Sequence, residues 1–185
     1  MEFELETRKR IYELIRDSPG VHLRELERRL DLVVGSLQYH LQYLEKNNLI
    51  SQFRDEEYVR YFVKDRALTR REREIMYFLR RKGCRHILMN LLRDPGMSNK
   101  ELAAAVGLSP STVSWNLNKL VKAGIIEKDR AGRTSNFTIV DPDLVAELLI
   151  CYKESFLDSI LDNFIEMWEF GDRKSTHKLP NTTKK

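Results

Sequence analysis

Cysteine is nearly absent: the 185 residues hold only Cys84 and Cys151, and neither stands near a second cysteine or a histidine at metal-ligand spacing. That leaves no disulfide framework and no zinc-ligand set, and each thiol is expected to be a small buried apolar side chain. Long apolar runs are also missing, and none approaches the ~18 consecutive residues that a membrane helix needs. Residues 1–10 alternate acidic and basic side chains with no apolar segment, so they do not read as a secretory leader, and the expected location is cytoplasmic. The four histidines, His22, His40, His86 and His177, are scattered, and there is no phosphate loop or nucleophile motif. No catalytic residue, metal or cofactor is therefore assigned, and an enzyme is the weakest reading. His40 is expected to pack or hydrogen-bond on a helix.

Charge is abundant, at 32% of residues, and the formal net charge is +4. Its distribution says more than its sum. Residues 1–63 balance at −2, residues 64–82 at +5, residues 83–97 at +1, residues 98–140 at +3 and residues 141–185 at −3. An anionic partner would be met by the middle of the chain rather than by the whole surface.

Sliding the sequence along itself gives one productive offset, 76 residues. It pairs Leu26 with Leu102, Leu30 with Val106, Leu37 with Val113, Leu41 with Leu117, Leu44 with Leu120 and Ile50 with Ile126, and it holds to Val63 with Ile139. Each copy reads as one folding unit. Residues 8–17 and 85–93 predict a first helix stopped by a Pro-Gly pair. Residues 22–30 and 98–106 predict a short second helix, with Ser98 as N-cap and Glu101 completing a capping box. A third helix follows, with apolar residues at i, i+4 and i+7 (Leu37, Leu41, Leu44; Val113, Leu117, Leu120). Residues 49–53 with 58–63, and 125–128 with 135–140, alternate as hairpin strands. Three helices and a hairpin wing define a winged helix-turn-helix. The fold class is thus mainly α with small β-hairpin wings (α+β), two winged domains and a long C-terminal helix. Gly107 and Gly124 stand where helices two and three end and positive φ is wanted, and the first copy places Asp31 and Asn48 there.

Leu108-Ser109-Pro110-Ser111-Thr112-Val113-Ser114-Trp115-Asn116-Leu117-Asn118-Lys119-Leu120, followed by Ala123-Gly124-Ile125-Ile126, resembles the recognition-helix region of winged helix regulators of the ArsR and MarR kind. Pro19-Gly20-Val21-His22-Leu23-Arg24-Glu25-Leu26 with Leu37-Gln38-Tyr39-His40-Leu41-Gln42-Tyr43-Leu44-Glu45 is similar to a form common in archaeal regulators. The resemblance spans residues 8–63 and 85–140, and it implies double-stranded DNA as partner. Two departures stand out. Trp115 replaces a basic or polar residue, and Asp55-Glu56-Glu57 replaces a basic or glycine-rich wing tip.

In the second copy the side chains expected to face DNA are Ser109, Ser111, Thr112, Ser114, Trp115, Asn118 and Lys122, joined by Arg130 and Arg133 beside Gly132 at the wing tip. Hydroxyls, an amide and cations suit base edges and phosphates, and wing arginines can clamp phosphate or enter a minor groove. In the first copy the same face offers Ser36, Gln38, Tyr39, Gln42 and Lys46, with Arg54 and Arg60 flanking the acidic tip. That tip would be repelled by phosphate, so the second domain is the stronger candidate for DNA contact.

The expected organisation is a first domain at 1–63, a basic connector helix at 64–82, a second domain at 83–140, a dimerisation helix at 141–170 and a disordered tail at 171–185. In the connector, Ile75-Met76-Tyr77-Phe78-Leu79 is read as a buried seam between the domains. Its arginines either track phosphates or pair with Glu72 and Glu74. From Asp141-Pro142 a helix is expected to run unbroken to Phe170, presenting Leu148, Tyr152, Phe156, Ile160, Phe164 and Trp168 to a second copy as a homodimer. The leading function is a sequence-specific transcriptional regulator. The alternative is a protein–protein assembly module in a transcription or replication complex, with a transcription-machinery protein as partner.

Overall fold

A computed structural model describes residues 2–54, 58–65, 68–131 and 134–156. Helix α1 (Glu2–Asp17) begins six residues before the expected start at residue 8. Its first turns have little apolar content, but Glu4 and Arg8 pair at 3.3 Å across i,i+4. Charged, unbranched side chains are good helix formers. Thr7, Ile11 and Ile15, at every fourth position, are the buried stripe.

Strand β1 (Val21–His22) leads into α2 (Leu23–Leu30), where the His22 ring caps the helix by accepting from the Glu25 N–H at 3.3 Å. Helix α3 (Val34–Lys46) follows, and then the hairpin of β2 (Ile50–Arg54) and β3 (Val59–Val63). The antiparallel register runs from Ile50 opposite Val63 to Arg54 opposite Val59, and β1 adds to the far side of β3. The second unit repeats this with α5 (Lys82–Arg93), α6 (Asn99–Val106), α7 (Pro110–Lys122), β4 (Ile126–Ala131) and β5 (Thr134–Ile139).

The 76-residue offset holds at the level of single hydrogen bonds. Gly20 donates to the Tyr61 carbonyl as Gly96 does to that of Phe137, and Lys64 donates to Leu49 as Val140 does to Ile125. The pairing of His22 with Arg60 recurs as the bridge between Ser98 and Asn136. Asp31 and Asn48 have φ of 54° and 61°, and Gly107 and Gly124 have φ of 66° and 63°. The capping box of Ser98 with Glu101 is also present.

Each unit has its own core. Ile11, Ile15, Leu26, Leu37, Leu41 and Ile50 centre the first. The second is larger, because α4 (Arg70–Leu79) and α8 (Pro142–Cys151) join it. Ile75, Met76, Phe78 and Leu79 therefore lie in the second core and do not form the apolar seam expected between domains. The join is made largely by polar side chains. Arg80 donates to the Pro19 carbonyl at 3.0 Å and the Ser155 carbonyl at 2.8 Å, and it lies 3.5 Å from the Glu25 carboxylate. Arg60 donates to the Gly20 carbonyl at 3.0 Å, with its guanidinium 5.2 Å from the Tyr77 ring centre.

The C-terminal helix departs most from expectation. It starts as expected, with Asp141 accepting from the Leu144 N–H and Pro142 at the first position. It is interrupted after Cys151 by a turn at Tyr152, and α9 (Lys153–Phe156) follows to the end of the described residues. The Ser155 hydroxyl bonds the Tyr152 carbonyl at 2.6 Å, while Arg80 and Arg85 lie 5.3 and 5.1 Å from the Phe156 ring centre. These contacts hold α9 against the second core. Leu148 and Phe156, expected at a dimer interface, are buried in the second core, and Tyr152 packs half-buried against it. Ile160, Phe164 and Trp168, and the tail at 171–185, lie outside the described residues. Cys84 is buried as expected, but Cys151 is exposed; both are free thiols. No helix among the described residues is long and apolar enough to cross a membrane.

Candidate nucleic-acid interface

Helix α7 buries Val113, Asn116, Leu117 and Leu120 and exposes Ser111, Thr112, Ser114, Trp115, Asn118 and Lys122. Its start is a cluster of hydroxyls. Ser109 caps the helix by accepting from the Thr112 N–H at 3.2 Å, and its oxygen lies 2.9 Å from that of Ser111 and 2.8 Å from that of Thr112. With Pro110 at the first helical position, the backbone is preorganised and the helix N-terminus carries partial positive charge. Hydroxyls and a helix N-terminus together suit a phosphate oxygen. Ser114 accepts from the Asn99 side chain at 2.8 Å, which locks α6 to α7.

Further along, Asn118 and Lys122 are exposed. Trp115 is 48% exposed, and two cations approach its ring, Lys119 at 4.0 Å and Arg81 at 5.3 Å. Arg81 also donates to the Tyr77 hydroxyl at 2.7 Å, so the indole is held against the connector helix. Asn116, absent from the sequence-based candidates, turns inward instead. Its Oδ1 accepts from the Cys84 thiol at 3.3 Å, and burial pushes that thiol up to about 11. The hairpin β4–β5 pairs from Ile126 opposite Ile139 to Ala131 opposite Thr134. Arg130 is exposed on β4, while Gly132 and Arg133 lie outside the described residues.

The equivalent face of the first unit has different chemistry. Helix α3 starts at Val33 with no side-chain cap, and Val33 and Val34 are exposed where the second unit has Ser109 and Pro110. Gln38, Gln42 and Lys46 are exposed, Ser36 is half-buried, and Tyr39 is 54% exposed. Arg8 of α1 covers the Tyr43 ring at 3.7 Å and lies 5.9 Å from that of Tyr39. Arg54 is exposed at the end of β2, and Asp55-Glu56-Glu57 lie outside the described residues. Arg60 corrects an expectation: it is only 4% exposed, engaged by Gly20, and is not on the candidate face. Alternation gave no signal here, because β3 is buried on both faces, Tyr61 and Val63 on one and Arg60 and Phe62 on the other.

One of the two expected roles is present, since a connector arginine pairs with an acid of its own helix. Arg71 meets Glu74 at 3.3 Å but also donates to the carbonyls of Ala123 and Gly124 at the end of α7. Arg80 is structural, as is Arg85 of α5, which donates to the Leu79 carbonyl at 2.6 Å. Arg66 is outside the described residues. Among the described residues no cluster of His, Cys, Asp and Glu has the arrangement of a metal site.

Residues 5–76 match a family described as an N-terminal HTH domain, and residues 85–127 match the family described as winged helix-turn-helix DNA-binding. The chain carries two helix-turn-helix domains. It is 35% identical over 127 residues to an uncharacterized HTH-type transcriptional regulator of Methanocaldococcus jannaschii, an alignment covering 69% of this chain and 32% of that one. This chain therefore spans about a third of that relative's length. Solved structures similar to it include reduced HlyU from Vibrio cholerae, at TM-score 0.40 and 20% identity over 45% of this chain and 86% of that one. The PcaV transcriptional regulator from Streptomyces coelicolor matches at TM-score 0.34 and 20% identity over 77% of this chain and 92% of that one.

Proposed function

We propose that this chain is a sequence-specific, double-stranded DNA-binding transcriptional regulator. Helix α7 enters a major groove and the β4–β5 wing, through Arg130 and Arg133, contacts the backbone or minor groove. The observation that carries the reading is the α7 surface, where the Ser109, Ser111 and Thr112 hydroxyls gather at the helix start and Asn118 and Lys122 are exposed further along. The M. jannaschii relative, by its name an HTH-type transcriptional regulator, supports it. Ser111, Thr112 and Asn118 read base edges or phosphates, Lys122 and Arg130 supply charge, and Ser114 and Trp115 position the helix. The chain works as a homodimer on a pseudo-palindromic site, with Ile160, Phe164 and Trp168 of residues 157–170 as the pairing stripe. It acts in the cytoplasm and performs no catalysis.

The test is genomic DNA retained on the purified protein, followed by titration at several salt concentrations. One promoter region should be enriched. The double variant Arg130→Ala with Arg133→Ala should weaken binding to all sequences and flatten the log–log salt slope by about one to two. Unchanged affinity in that variant would remove the wing from the interface.

A second reading is an assembly module, favoured by the first domain's α3 face. Exposed Val33, Val34, Tyr39 and Tyr43 there suit a protein partner more than phosphate. No DNA binding at low salt, with a stoichiometric protein partner recovered, would select it.

A further inference from the structure

Between the two domains lies a cleft unrelated to the α7 face. A cavity of about 250 Å³ is walled by Phe62 and Val63 of β3 on one side, and by Leu68 and Tyr152 on the other. A second of about 430 Å³ adjoins it and shares Ser51, Phe62 and Arg73. Together they have the size of a small-molecule site, for which ~300–1,000 Å³ is usual. Both domains contribute walls, since Phe62 comes from the first hairpin while Leu68 and Tyr152 pack against the second core.

The lining is apolar with a positive rim. Phe62 is buried, yet it belongs to neither hydrophobic core; its side chain serves the cleft and the Gly20 turn. Four cations line the two cavities, Arg16, Lys64, Arg70 and Arg73, against one acid, Glu74. Three of these five charges are already engaged: Arg16 with Asp17, Lys64 with Asn48, and Glu74 with Arg71. Arg70 and Arg73 have no side-chain hydrogen bond or ion pair to a described residue. A cavity with aromatic walls and two uncommitted guanidinium groups is complementary to a flat apolar body that ends in an anion.

We propose that this cleft binds an amphipathic aromatic anion, its carboxylate or sulfonate held by Arg73 with Arg70 and its ring system against Phe62, Leu68 and Tyr152. Because the walls come from both domains, the ligand bridges them. An inorganic oxyanion alone would leave the apolar walls empty and bind weakly.

The full chain is titrated with 8-anilinonaphthalene-1-sulfonate and, separately, with N-phenyl-1-naphthylamine, which has the same ring system without the sulfonate. One sulfonate site per chain is expected, at least tenfold tighter than the neutral amine. Arg73→Gln should weaken the sulfonate at least fivefold and leave the amine unchanged. Arg93→Gln, on the exposed end of α5, should alter neither. Inorganic phosphate at matched ionic strength should not displace the probe. The proposal is overturned by equal binding of the two probes, by equal effects of the two arginine variants, by displacement with phosphate, or by no binding. Circular dichroism of each variant verifies folding, and a misfolded Arg73→Gln is replaced by Arg70→Gln, expected to weaken the sulfonate at least twofold and overturning the assignment if it does not.

Discussion

Asp31 and Gly107, 76 residues apart, end the second helix of their domains in the same left-handed conformation, at φ of 54° and 66°. Each donates its backbone N–H to a carbonyl four residues earlier, Glu27 and Ala103. A side chain in this region costs about 1–2 kcal/mol, somewhat less for aspartate. A Cβ on Gly107 would meet no atom within 4 Å, so its penalty is purely that of the backbone. Gly107→Ala should therefore destabilise the second domain by about 1 kcal/mol, and Asp31→Gly should stabilise the first by roughly half that. Urea unfolding of each variant measures both signs.

Arg80 should be the most sensitive position in the join between domains. Its side chain is 4% exposed, and removing it leaves the Pro19 and Ser155 carbonyls and the Glu25 carboxylate short of a donor. Arg80→Met is expected to cost about 3–5 kcal/mol, as for a buried pair broken on one side. Arg80→Lys should not restore it, because one ammonium cannot reproduce the fork. Thermal unfolding should show the wild-type transition splitting in two in the methionine variant.

The two thiols should be told apart by reaction. Cys84 is buried, bonded to Asn116 and pushed up to about 11, whereas Cys151 is exposed. Ellman's reagent at pH 8 should titrate one thiol in the native protein and two in guanidinium. A second thiol reacting as fast as the first in the native state would contradict the packing of α5 on α7.

Stability should fall on mild acidification. Burial, and then the neighbouring Arg8, lowers the pKa of His40 from 6.5, with Glu4 opposing. Burial lowers His22 likewise. The unfolded chain then binds protons that the folded chain does not, so stability is fully present above about pH 6.5 and is lost as pH falls toward the folded values. The melting temperature should drop between pH 7 and 5. His40→Leu should flatten part of that drop, with His22 retaining the remainder.

The repeat was readable because it is written in apolar spacing and in residues that tolerate positive φ. Both are local properties, and Asp31, Asn48, Gly107 and Gly124 all adopt the expected conformation. The hydroxyls at the start of α7 were legible for the same reason. What spacing could not convey was which buried face an arginine joins. Arg60, Arg80 and Arg85 are cationic in composition but bury their stems and meet carbonyls 40, 61 or 6 residues distant. The break at Tyr152 was hidden because no Pro or Gly marks it; the Ser155 hydroxyl bonds the Tyr152 carbonyl just beyond it. The apolar stripe after Pro142 predicted burial correctly at Leu148 and Phe156 but assigned it to the wrong surface.

The bond from Arg80 to Ser155 also imposes an order of assembly. The two partners are 75 residues apart. At ~5–20 residues per second, the ribosome needs roughly 4–15 s to make that interval. During that time the first domain is complete, but the guanidinium that clasps it to the second lacks its last acceptor. The nascent first domain is thus free to sample orientations until α9, which carries Ser155, emerges, and the bonded relationship between the two DNA-reading candidates is among the last things the chain acquires.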